Sequence, residues 1–127
     1  MPTTYRDDGK PVVQFDPLLE ISPFALFRRL REDRAPLLVD VRDRPGDRAL
    51  EGAIPLPDDS WQPPEDVDVV LFDDDGGTAI AHAARLQQAG CERVRALFGG
   101  LELYEFSLDP EVVGERTYLV STTEEAG

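Results

Sequence analysis

Apolar residues fall along this chain in two rhythms. Leu37-Leu38-Val39-Asp40-Val41 and Val67-Asp68-Val69-Val70-Leu71-Phe72 are near-continuous runs, the pattern of strands covered on both faces. Val94–Leu97 is a third, shorter run, and Val12, Val13 and Phe15 suggest a short strand closed by Asp16-Pro17. Helical spacing appears twice. After Ser22 as N-cap and Pro23 at the first helical position, Phe24, Leu26, Phe27 and Leu30 form one stripe, with Arg28, Arg29 and Arg31 opposite. That helix must stop before Pro36. The second spans Thr78–Ala89 on Ala79, Ile80, Ala83 and Leu86, and Gly90 fits the left-handed position that ends it. Gly99-Gly100 turns into a short helix over Leu101–Phe106, and Thr117–Val120 reads as an edge strand before the polar tail Ser121–Gly127. The proline-rich stretch 42–66 is expected to hold nothing longer than a turn.

Strand, helix, strand, helix, strand in this order predicts a single α/β domain, a parallel sheet flanked by helices. The chain divides into an N-terminal segment (1–17), the domain proper (18–108) and a C-terminal extension with the edge strand and tail (109–127). Its 127 residues suffice to bury roughly two thirds of the unfolded surface.

Charge narrows the partners. The net charge is −13, from 26 acidic and 13 basic residues, and Lys10 is the one lysine. Such a balance argues against nucleic acid and anionic membranes and leaves a protein partner as the expectation. No apolar run is of membrane-spanning length, and Met1–Lys10 lacks the apolar core of a signal peptide, so the expected location is cytoplasmic. A lone cysteine, Cys91, rules out an internal disulfide; it is expected to be a small buried residue after the helix turn.

The chemistry concentrates between the second long strand and its helix, at Asp73-Asp74-Asp75-Gly76-Gly77-Thr78. A strand feeding a glycine turn that opens a helix gathers backbone N–H groups at the positive end of a helix dipole, a place suited to anions. Here it carries three carboxylates and no Cys, Lys, Arg or His.

Taken in order, several segments resemble a rhodanese-like domain: Ile21-Ser22 with its helix, Leu37–Arg42, Gly52-Ala53-Ile54-Pro55-Leu56-Pro57, Val69–Phe72 with the loop and helix, Ala89-Gly90-Cys91-Glu92-Arg93-Val94, and Leu97-Phe98-Gly99-Gly100. The resemblance covers about residues 20–106 and implies that family's sheet-and-helix fold. In that family the loop reads Cys-x-x-Gly-x-Arg-Ser, and its cysteine carries sulfur as a persulfide. Asp73 then takes the cysteine position, Gly76 matches the glycine, and Thr78 and Ala79 replace the arginine and serine. The stretch around Gly52 also lacks the family's Gly-His-Ile-Pro. A carboxylate cannot accept sulfane sulfur, which needs a polarisable thiolate. Cys91 cannot substitute, because a helix from Thr78 to Gly90 rises about 18 Å.

The resemblance therefore implies a rhodanese-like domain without catalytic residues, acting as a binding or regulatory module and calling for no cofactor. In that reading Asp73 or Asp75 caps the helix and fills the cradle. The alternative makes Asp73 and Asp75 hard-oxygen ligands for a divalent cation, with or without metal-assisted hydrolysis, although the spacing is not that of an EF-hand. Leu71–Thr78 also resembles the haloacid-dehalogenase nucleophile motif, but an extra glycine breaks its spacing and no lysine follows. Asp40 and Arg42 read as an ion pair anchoring a strand end, His82 as a partly exposed helix residue. Trp61 is either a partner anchor or a cover for the sheet.

Overall fold

The computed structural model describes residues 15–44, 46–58 and 60–121. The strand expected from Val12 and the tail beyond Ser121 lie outside them. Phe15 itself is irregular, and its ring meets Phe98 edge-on at 5.4 Å.

Five parallel strands form the sheet, in the order β1 (Glu20–Ile21), β6 (Val94–Leu97), β5 (Val69–Phe72), β2 (Leu37–Asp40), β4 (Ile54–Pro55). The register sets Leu37 beside Val69 and Asp40 beside Phe72, with Leu71 beside Ala96 on the other flank. Because side chains alternate across a strand, the apolar runs serve two cores. Leu38, Val70, Phe72 and Leu97 pack with Leu26 and Phe27 of α1 (Pro23–Arg31) and with Leu101 and Tyr104 of α3 (Gly100–Ser107). Val39, Val69, Leu71 and Ala96 face Ala79, Ala83 and Leu86 of α2 (Gly77–Gln88). Both faces are covered, as unbroken apolar strands require.

The ends of the helices follow local chemistry. Ser22 Oγ accepts from Ala25 N–H at 3.2 Å to start α1. At the end of α2, Gly90 at φ +101° lets its own N–H reach Gln87 O and the Cys91 N–H reach Leu86 O, the double bond of a Schellman close.

Three expectations need correction. The 42–66 stretch contains two strands: β4, and β3 (Arg48–Leu50), which pairs antiparallel with β7 (Leu119–Ser121). Each is only two or three residues long, so no periodicity announces it, and its partners are supplied by distant segments. Phe24 is not on the buried stripe of α1 but 55 % exposed, because the contact of this nine-residue helix runs along Pro23, Leu26, Phe27 and half-buried Leu30. Cys91 is half-buried, packed at the margin of the α2-side core rather than within it.

The β3–β7 ribbon ties the C-terminal segment to the rest. A further helix, α4 (Pro110–Val113), leads into it, capped by the Asp109 carboxylate on Glu111 N–H. Tyr104, wholly buried, donates its hydroxyl to the carbonyl of buried Thr117. Burial pushes the Tyr104 phenol well above its ordinary pKa. No helix among the described residues is long and apolar enough to cross a membrane.

Candidate functional site

All five strands run in one direction, so the loops after β2 and β5 emerge together at the carboxyl edge, where open α/β sheets place their ligands. The loop after β5 is Asp73–Gly76. Gly76 stands in the left-handed region at φ +93°, and a Cβ there would come within 3.1 Å of Gly99 N. The turn therefore needs glycine both for its dihedral and for its contact with the second glycine turn.

Asp73, only 4 % exposed, points its carboxylate back into the turn. Oδ1 accepts from Gly76 N–H at 2.6 Å, and Oδ2 from Thr78 N–H at 2.8 Å and Ala79 N–H at 3.3 Å. Asp75 Oδ1 takes the remaining donor, Gly77 N–H, at 2.9 Å. Every N–H group of the cradle over residues 76–79 thus has a carboxylate oxygen from its own loop. Gly76, the residue at the formal cap of α2, has no side chain for the task. Asp73 performs it from three residues upstream, at the end where the helix dipole favours a negative charge.

Arg42 locks this arrangement to the neighbouring strand. Its guanidinium grips Asp40 with both prongs, Nε to Oδ1 at 2.9 Å and Nη2 to Oδ2 at 2.8 Å. Two further hydrogens serve Asp74 Oδ1 at 3.0 Å and the carbonyl of Arg48 at 2.8 Å, and the cation lies 5.8 Å from the Phe72 ring centre. The pair is buried, and the bond to Asp40 holds the Arg42 pKa above its ordinary value. One side chain therefore joins β2, the acidic loop and β3. A third element closes the site from behind: Leu101 N–H donates to Asp73 O at 2.9 Å and Glu102 N–H to Asp74 O at 3.0 Å. The start of α3 is stitched to the acidic loop.

What stays open is a hollow of about 350 Å³ bounded by Val41–Arg44, Asp73–Asp75, Thr78 and His82. Thr78 is exposed, and half-buried His82 has its Nδ1 3.1 Å from Arg85 Nη2. Among the described residues no group of three or more His, Cys, Asp or Glu side chains is placed to hold a metal ion. Cys91 lies beyond the far end of α2, away from this hollow. Trp61, half-buried, packs with Leu56 against the α2-side core, which makes it a cover for the sheet. Sequence reasoning missed the two N–H bonds from α3 and the reach of Arg42 to Asp74, since nothing in the local pattern links residues so far apart.

With this geometry in view, known structures supply the comparison. A rhodanese-related protein from Thermoplasma volcanium superposes with a TM-score of 0.55 at 16 % identity, covering 70 % of this chain and 92 % of that one. The fold is rhodanese-like. The reduced form of CoADR-RHD from Bacillus anthracis, which contains a rhodanese homology domain, gives 0.59 at 24 % identity, over 74 % of this chain and 17 % of that one. A Rhodopseudomonas palustris protein described as a possible tyrosine phosphatase also matches, at 0.59 and 17 % identity over 71 % and 81 %. No family model and no curated protein matches the chain. At these identities the likeness speaks for the rhodanese-like backbone alone.

Proposed function

We propose that this rhodanese-like domain is catalytically inactive and acts as a binding or regulatory module for a protein partner in the cytoplasm. One observation carries the reading: the Asp73 carboxylate occupies the N–H cradle at the start of α2. Where a reacting anion or a persulfide would need those donors, they are already saturated by a group one covalent chain away, at an effective concentration no free ligand matches. A carboxylate oxygen also cannot attack sulfur and leave as a thiolate does, so sulfane-sulfur transfer has no nucleophile here. Cys91, beyond the other end of α2, faces none of these donors.

A thiosulfate:cyanide sulfurtransferase assay tests this. Wild-type protein and Cys91→Ser should be equally inactive; turnover in the wild type that Cys91→Ser abolishes would overturn the reading. Thermal unfolding titrated with Mg²⁺ and with Ca²⁺ should be flat, because Asp73 already spends both carboxylate oxygens, and Asp75 its Oδ1, on backbone donors. A saturable rise in Tm with either ion would instead favour a cation site at Asp73–Asp75.

A further inference from the structure

A second hollow, of about 780 Å³, lies on a different part of the surface, between α3, α4 and the β3–β7 ribbon. Its lining is mixed: half-buried Leu119 and exposed Val120 give it an apolar side on the ribbon, Leu108 closes it from the core with almost no surface showing, and carboxylates and Thr117 supply the polar part. At its side stands Phe106, 86 % exposed, with Val120 38 % exposed on the ribbon. A lone exposed apolar side chain is ordinary. A nearly bare aromatic ring beside a concave surface that also shows Leu119 and Val120 is the arrangement that buries well only when something enters.

The charge around the hollow says what enters. Glu102, Glu105 and Asp109 line it against a single cation, Arg48, and Arg48 is spent in an ion pair with Glu105. Glu102 has no cationic partner among the described residues. The whole chain, at −13, adds long-range attraction for positive charge.

The geometry points to a docking groove for an extended protein segment that carries Lys or Arg next to a bulky apolar residue. The apolar side chain covers Leu119 and Val120, while the cation meets Glu102 and Asp109 with its stem on the Phe106 ring. Nucleic acid and anionic lipid are repelled by the same rim. A second copy of this chain would oppose acidic rim to acidic rim, a juxtaposition that costs affinity. This inference is independent of what Asp73 does: the groove shares no lining residue with the hollow at the acidic loop.

The test uses the full chain and three labelled octapeptides: alternating Arg and Leu, alternating Glu and Leu, and alternating Arg and Ser. Fluorescence anisotropy should detect the Arg-Leu peptide alone, with amide shift changes centred on residues 102–109 and 117–121. Phe106→Ala, at an exposed position that leaves folding intact, should weaken binding about tenfold. Glu102→Lys should weaken it comparably and flatten its salt dependence. Equal binding of the Arg-Ser peptide, shifts centred on residues 73–78 instead, an unchanged affinity in Phe106→Ala, or self-association of the free chain that Phe106→Ala abolishes would each overturn the proposal.

Discussion

Arg42 donates to Asp74 across 32 residues of sequence, and in doing so it fixes the acidic loop to the end of the neighbouring strand. The same guanidinium neutralises Asp40, which is buried. Removing the cation leaves Asp40 uncompensated, so Arg42→Met should cost about 3–5 kcal/mol by chemical denaturation. Arg42→Lys should recover only part of that, since an ammonium cannot grip both oxygens and serve Asp74 and the Arg48 carbonyl as well. Adding Asp40→Asn to Arg42→Met should cost less than the sum of the two single changes. Strict additivity would mean that the pair contributes nothing as a pair.

Asp73→Ala strips the acceptor from three backbone donors at once. Loss of a cap plus partly buried, unpaired N–H groups should lower stability by about 2–4 kcal/mol. The emptied cradle is then free for an outside anion. Sodium sulfate should therefore raise the Tm of Asp73→Ala by more than it raises that of the wild type. Equal increments would show that the carboxylate is not what keeps anions out.

Two glycines with similar backbones should respond differently to alanine. At Gly100, φ +64°, a Cβ would stand 2.5 Å from the carbonyl of Asp74 and 2.6 Å from Asp73 O; at Gly52, φ +82°, it meets nothing within 4 Å. Gly52→Ala should cost about 1 kcal/mol, the left-handed strain alone. Gly100→Ala should cost about 3 kcal/mol or more, because backbone must move. Comparable denaturation midpoints for the two variants would refute the close approach.

Two carboxylates should shape the pH dependence with opposite signs. Glu20 is buried in β1, and desolvation, helped by the charge of Asp16, raises its pKa despite the 2.9 Å bond from Asp16 N–H. Folded protein thus holds that proton where unfolded chain has lost it, so this contribution is present below the unfolded value of about 4.3 and lost as pH rises through the folded one. Glu20→Gln should raise Tm at pH 7.5, with the gain vanishing in acid. Asp68 is lowered, first by its hydrogen bond from Arg93 and then by Arg29. Its contribution stands above the unfolded value of about 3.9 and fades as pH falls through the folded one. Asp68→Asn should lower Tm at pH 7.5 and converge on the wild type in acid. A Tm series from pH 3 to 8 reads both signs.

The parts legible in the sequence are those whose cause is local. Val69–Phe72 could only be a strand covered on both faces, Ser22-Pro23 could only open a helix, and Gly90 marks the end of α2 by its own freedom at positive φ. The acidic loop stood out for the same reason, as carboxylates in a strand-to-helix turn. Arg48–Leu50 was invisible because three residues carry no period and its pairing partner, Leu119–Ser121, arrives almost seventy residues later. Phe24 misled because helical spacing marks which residues share a stripe, while the width of the contact is decided by the neighbours.

The bonds from Leu101 and Glu102 to the carbonyls of Asp73 and Asp74 have a kinetic consequence. A surface loop ordinarily opens by itself, and its amides exchange with solvent within the low-stability part of the molecule. This one is clasped on one side by the first turn of α2 and on the other by the first turn of α3, so neither helix can fray at its start without releasing the other. In hydrogen–deuterium exchange the amides of Gly76, Thr78, Leu101 and Glu102 should therefore open as a single cooperative unit, putting the acidic loop on the clock of the core.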